Sequence, residues 1–218
     1  MRHAPAPQPS YRLIPSRFPS VGLFDTVSTA ADLEAVMELA GWTNDRLVKE
    51  RVGRLRREEW AYGRPNSSIV MAAFLHAAPS GGRFNGPDLG AWYASAAVPT
   101  SIAEVGHHLR REALARGVEG MVRTYRSYSA RPAGDYVDIR GSEPRLHAPD
   151  DYAAGQAYGE GLRAAGEDGV LYDSVRHRGG INLCAYRPSR VLDVAQADHF
   201  EITASVAARR IEARRLGA

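Results

Sequence analysis

The sequence predicts a single α+β domain, and three observations carry that expectation. Short runs rich in β-branched and aromatic residues alternate with segments of helical apolar spacing, so neither an all-α nor an all-β fold accounts for the chain. Its 218 residues are 44% hydrophobic, enough to bury one sizeable core. No internal repeat and no linker-like stretch divides them.

Taken in order, residues 1–10 (MRHAPAPQPS) read as an extended, disordered tail without the apolar stretch of a signal peptide. YRLI reads as a short strand and PSRFPSVGLFD as a proline-broken connection. STAADLEAVMELAGW has Leu33, Val36, Met37 and Ala40 at helical spacing, with Ser28 or Thr29 to cap it and Gly41 to end it. A second helix is expected over TNDRLVKERVGRLRREEW. Its Arg51, Arg54, Arg56 and Arg57 are flanked by Glu50, Glu58 and Glu59, which describes a solvated face better than a phosphate-binding strip. These segments form a helical insertion over about residues 28–75, ending in an apolar run, SSIVMAAFLH, too short to assign.

AWYAS then reads as a strand, TSIAEVGHHLRREALARG as a helix and GMVRTYRSY as a strand. PDDYAAGQAYGEGLRAAG reads as a helix capped by Asp150 or Asp151. DGVLYDSV and GINLCAY read as strands paired across RHRGG. A basic extension, 201–218, ends in SVAARRIEARRLGA, a helix or a frayed tail.

Several chemistries are excluded or weakened. A formal net charge of +3 (28 basic against 25 acidic residues) does not demand nucleic acid as a ligand. Cys184 is the sole cysteine, so no intramolecular disulfide forms and a buried thiol in a reducing compartment is expected. No run approaches the ~20 apolar residues of a membrane span, so a soluble cytoplasmic protein is expected. There is no P-loop, and neither GGRFNGPDLG nor AGQAYGEG has the GxGxxG spacing; the small residues of the second suit close helix packing. His107 and His108 are adjacent and point about 100° apart on a helix, unlike an i, i+4 metal pair. No metal is expected. No serine sits in a GxSxG elbow, although Ser174, between a strand and RHRGG, stands out.

Three residues bear two readings each. Arg83, in a glycine-rich turn, either solvates that turn or offers a planar fork to a phosphate. In AWYAS, alternation puts Trp92 and Tyr93 on opposite faces, one in the core and the other able to stack on a flat heterocycle with its hydroxyl in water. Glu104 closes SIAE, a capping box with Ser101 as N-cap, or it is a carboxylate held rigidly at a cleft edge.

Together and in this order, YRLIPSRFPSVGLFD, GGRFNGPDLGAWYAS, SIAE and GVLYDSVRHRGGINLCAYRP resemble the RES-domain family, the toxin halves of bacterial toxin–antitoxin pairs. The resemblance runs from about Tyr11 to Val191. It implies a compact relative of the ADP-ribosyltransferase fold that takes NAD as a consumed substrate rather than a cofactor. Arg83, Tyr93 and Glu104 would be the catalytic residues, with Arg12, Arg83, Tyr93 and Ser174 binding NAD. Cleavage of the nicotinamide–ribose bond is implied, by a glycohydrolase or a phosphorylase, with transfer of ADP-ribose to a protein as the alternative. The implied partner is a cognate Xre-like helix-turn-helix antitoxin, through which alone nucleic acid would be met; homo-oligomerisation stays open. Asp173 and Phe84 stand where proline and tryptophan are common in the family. A non-catalytic nucleic-acid- or protein-binding module is the remaining reading.

Overall fold

The computed structural model describes residues 1–18, 22, 24–27, 29, 31–32 and 53–217. The helix expected over 28–42 lies almost wholly outside them. At its start Thr29 behaves as the cap expected there, its hydroxyl accepting the Asp32 N–H at 3.1 Å.

Among the described residues nine strands build one sheet: β1 (His3–Pro5), β2 (Ser10–Pro15), β3 (Trp92–Ser95), β4 (Gly120–Pro132), β5 (Asp135–Asp138), β6 (Gly169–Asp173), β7 (Ile181–Ala185), β8 (Val191–Ser205) and β9 (Ile211–Leu216). Their order is β1-β5-β6-β7-β3-β2-β4-β8-β9, antiparallel throughout except for β5 beside β6. The α+β expectation holds. The long antiparallel β4–β8 ladder dominates one half, and β6–β7 pair across RHRGG as expected.

Side-chain alternation splits the core into layers. Trp92, Ala94, Leu183 and Ala185 point into one cluster, where they meet helix α1 (Ser67–Leu75). Tyr93 and Cys184 point the other way. On that second face α2 (Val98–Ala115) covers β2, β4 and β8 with Leu109, Ile102 and Val105. The β5–β6–β7 half carries its own cluster there, joined by Leu162 of α3 (Ala153–Ala164).

The apolar run SSIVMAAFLH is α1. It is buried on nearly all sides, which removes the polar stripe that would have marked it as a helix. Asp25, remote in sequence, serves its N-terminus by accepting the N–H groups of Asn66 and Ser68 at 2.9 and 2.8 Å.

Three expectations are corrected. Residues 3–5 are not part of a disordered tail but an edge strand on β5. The C-terminal stretch is neither helix nor frayed end: β9 pairs with β8 over Ile211–Leu216. The described end of the second expected helix, 53–60, contains only a 3-10 turn at Arg57–Glu59. Arg56 there is paired with Glu59, which accords with the solvated-face reading.

The small residues of AGQAYGEG do permit close packing. A methyl at Gly155 would strike the carbonyl of Arg83, and one at Gly159 the carbonyl of Phe84. Gly161, on the same helix, faces open space. Gly159→Ala is therefore expected to cost about 1–3 kcal/mol through overpacking. Gly161→Ala is expected to be neutral or to stabilise by up to ~1 kcal/mol through helix propensity. Urea unfolding of the two variants checks this; equal effects would mean that α3 does not bear on the Arg83 turn.

Candidate active site

Strands β2 and β3 share a single ladder pair, Tyr11 with Ser95, and then part. A cleft of about 610 Å³ opens beside this split. Arg12, Arg83, Tyr93 and Glu104 all line it, so four of the five sequence-chosen residues converge.

Arg12 leaves β2 at the parting. Its Nη1 donates to the Tyr93 carbonyl at 2.9 Å, while its guanidinium lies 5.0 Å from the Trp92 ring centroid. Its Nε is buried with no hydrogen-bond partner. Burial pulls the pKa of the guanidinium down to about 10, with Tyr93 and Cys184 opposing the shift. No described carboxylate pairs with it.

Arg83 sits in the glycine-rich turn but is only 8% exposed, which excludes the reading of a solvating surface arginine. Its Nη1 donates to the carbonyls of Leu146 and Ala148 at 3.3 and 2.6 Å, and Tyr152 lies beneath its plane at 4.5 Å. The residue lines the cleft.

The Tyr93 hydroxyl is not in water, contrary to expectation. It accepts the Phe84 N–H at 2.8 Å and donates to Asn85 Oδ1 at 2.7 Å, so it pins the Arg83 turn to β3. Burial pushes this phenol well above its ordinary pKa. Phe84 itself is fully buried, edge-on to Tyr172 at 4.7 Å.

Glu104 is not the end of a capping box. Helix α2 begins at Val98 with Ala97 as N-cap, placing Ser101 inside it; the Ser101 hydroxyl donates to the Tyr11 carbonyl at 2.8 Å. Glu104 instead reaches toward β6 and β7. Its Oε1 accepts from Ser174 Oγ and from Asn182 Nδ2, both at 2.7 Å. No described residue donates to Oε2. Ser174 thus stands behind the carboxylate instead of lining the cleft, and its oxygen accepts the N–H groups of Arg176 and His177.

Sequence reasoning missed Asn182, Asn85, Tyr152, His108 and Arg111. Asn182 had a signal, as the one amide inside the apolar strand INLCA. His108 and Arg111 follow Glu104 on the cleft face of α2 at i+4 and i+7. Burial, ahead of the nearby arginines, lowers His108; Glu104 opposes that shift. Among the described residues no group of three or more His, Cys, Asp or Glu side chains is arranged to hold a metal. No described helix is long and apolar enough to cross a membrane. Cys184 is buried and its thiol is pushed up to about 12, which leaves it unreactive.

The RES domain profile matches residues 51–205, most of the chain. The chain belongs to the RES-domain family. The matched segment holds Arg83, Tyr93, Glu104 and Ser174, and begins after Arg12. No curated protein sequence matches this RES-domain chain. Among solved structures it is similar to one described as the crystal structure of the M. tuberculosis MbcT–MbcA toxin–antitoxin complex. That likeness has 16% identity and a TM-score of 0.46, covering 89% of this chain and 86% of the other.

On α2, His107 is buried with its Nε2 unpartnered. Desolvation, assisted by Arg176, His108 and Arg111, lowers its pKa from 6.5 to about 4. The folded protein therefore holds this ring neutral where the unfolded chain would protonate it. Its contribution to stability is whole above about pH 6.5 and is lost as the pH falls toward about 4. Urea midpoints at about pH 7.5 and about pH 5 should differ in the native protein, and the difference should shrink in His107→Gln. An unchanged difference would place the titration elsewhere.

Proposed function

We propose that the cleft binds NAD and that the protein breaks its nicotinamide–ribose bond, acting as the toxin of a toxin–antitoxin pair. One observation carries this reading: Arg12 and Arg83, anchored to backbone carbonyls and without carboxylate partners among the described residues, share a cleft with a carboxylate that keeps one oxygen unengaged by described residues. The cleft's volume lies within the ~300–1,000 Å³ of small-molecule sites. The family's relation to ADP-ribosyltransferases supplies the choice of NAD.

In this reading Arg12 and Arg83 hold the pyrophosphate, each charged contact worth roughly 1.5–3 kcal/mol. Tyr93 gives no proton, because its hydroxyl is committed on both sides. It and the Tyr152–Arg83 stack form fixed walls against which the flat ring and the ribose rest. The glycosidic C–N bond then breaks, and its electron pair leaves with the nicotinamide nitrogen, which becomes neutral. No general acid is needed at that step. Positive charge develops on the ribose, and Glu104 Oε2 meets it while accepting a ribose hydroxyl. Water or phosphate then forms the new bond at the anomeric carbon and sheds a proton to solvent. The same pocket would serve transfer to a protein side chain.

Charge placement argues against the nucleic-acid reading. Arg210, Arg214 and Arg215 near the C-terminus are each paired with an acidic neighbour, as are Arg54 and Arg56. The partner inferred from the family resemblance is a helix-turn-helix antitoxin, through which DNA would be met indirectly.

Incubation of the purified protein with NAD labelled in the adenosine moiety, with and without phosphate, tests the reading. Free nicotinamide with label in ADP-ribose or its phosphate supports it, whereas label on protein selects transfer. Glu104→Gln keeps an oxygen that can accept from Ser174 and Asn182, so its melting temperature should hold. Its turnover should fall roughly 100- to 1000-fold, the scale of removing one preorganised charge. Full activity in that variant would remove Glu104 from the chemistry. In cells, expression without the antitoxin should lower NAD before growth stops; arrest at constant NAD would overturn depletion as the cause.

A further inference from the structure

Glu104 Oε1 is gripped by two donors whose orientations are themselves forced. A carboxylate at this site only accepts, so the Asn182 amide must turn its Nδ2 toward Glu104 and its Oδ1 away. On the far side Oδ1 meets Ser95 Oγ at 2.7 Å, and the serine must therefore donate. Ser95 and Asn182 are directly opposed on β3 and β7, 3% and 2% exposed, so the strand register fixes the contact. Ser174 is constrained in the same way. Its oxygen already accepts two backbone N–H groups, and its single proton goes to Glu104.

We propose that Asn182 is a positioning residue for Glu104, and that Ser95 acts through it by locking the amide in its donating orientation. This rests on the NAD-cleaving reading only in the assignment of Glu104. With Oε1 held from β7 and from the turn after β6, the carboxylate cannot swing about its own axis, and Oε2 keeps one direction. Without Ser95 the amide can rotate, and its oxygen would then face the carboxylate and repel it. Asn182 does line the cleft, but its oxygen and one of its two amide hydrogens are taken by protein groups.

The test compares Ser95→Ala and Asn182→Leu in the native background and in Glu104→Gln. Asn182→Leu keeps the approximate volume and removes the donor without adding a charge. Both variants should lose roughly 10- to 100-fold in kcat, the scale of one hydrogen bond to a charged group, with KM for NAD within about threefold. In the Glu104→Gln background Asn182→Leu should cost almost nothing further, because there is no charge left to aim. Equal losses in both backgrounds would make Asn182 merely structural and overturn the proposal. A second measurement is independent of turnover. The side-chain amide protons of Asn182, followed by ¹⁵N-resolved NMR, should exchange slowly, shift in Glu104→Gln and lose their protection in Ser95→Ala. If the native protein releases no nicotinamide while these signals respond, the NAD reading falls and the relay stands. Signals indifferent to both substitutions overturn the relay.

Discussion

The parting of β2 from β3 after one ladder pair is the constraint on which the site depends. Two adjacent strands that separate inside a sheet expose backbone groups that must find partners, since a buried unpaired group costs about 1–3 kcal/mol. Here side chains provide them. Arg12 donates to the Tyr93 carbonyl across the gap, and Ser101 donates to the Tyr11 carbonyl at its edge. The split is thereby held open, and the residues holding it open line the cleft. Arg12 is buried in the process without a counterion among the described residues, so the fold itself creates a demand for an anion.

The rest of the site is an exercise in removing freedom. The Tyr93 hydroxyl ties the glycine-rich turn to β3 through Phe84 and Asn85. Helix α3 presses its glycines onto the same turn from the other side. Arg83 is threaded between Tyr152 and two carbonyls. Polar groups fixed during folding need not reorganise when charge develops in a reaction, which is why such rigidity favours catalysis.

Much of this was legible in the sequence, and the gaps have physical causes. Elements with a polar face and an apolar face, such as α2 and α3, announced themselves by period, and the doubly buried β6–β7 pair by short apolar runs on either side of a turn. Helix α1 did not, because burial on nearly all sides leaves no stripe to read. Strand β9 was hidden by composition: IEARRL has four exposed residues of six, and only pairing with β8 makes it a strand. Arg83, Tyr93 and Glu104 were found through spacing and family resemblance, yet their bonding was not. SIAE satisfies the capping-box pattern on paper, but the helix begins four residues earlier because Pro99 suits its first turn. Local pattern cannot report where the helix enters the sheet. Asn182 went unremarked although a lone amide in an apolar strand must bond to something. Its partner, seventy-eight residues away, is visible only once the strands are in register.

The charge inside the cleft explains why a single carboxylate can suffice. Glu112, the other acidic residue on its wall, is occupied by Arg123 and Arg116 and lowered by that pairing. Among the described residues Glu104 is therefore the carboxylate of the wall without a cationic partner, set against Arg12 and Arg83, which lack anionic ones. An anionic ligand would relieve the guanidinium groups, and a developing cation would relieve the carboxylate. A substrate that carries an anion at one place and becomes cationic at another along its reaction meets both demands at once. The two cannot cancel beforehand, because Oε1 of Glu104 is anchored toward Ser174 and Asn182, while Arg12 and Arg83 are anchored to backbone carbonyls. Keeping opposite charges apart within one cavity is what the anchoring hydrogen bonds accomplish, and that separation is the chemical capacity of the site.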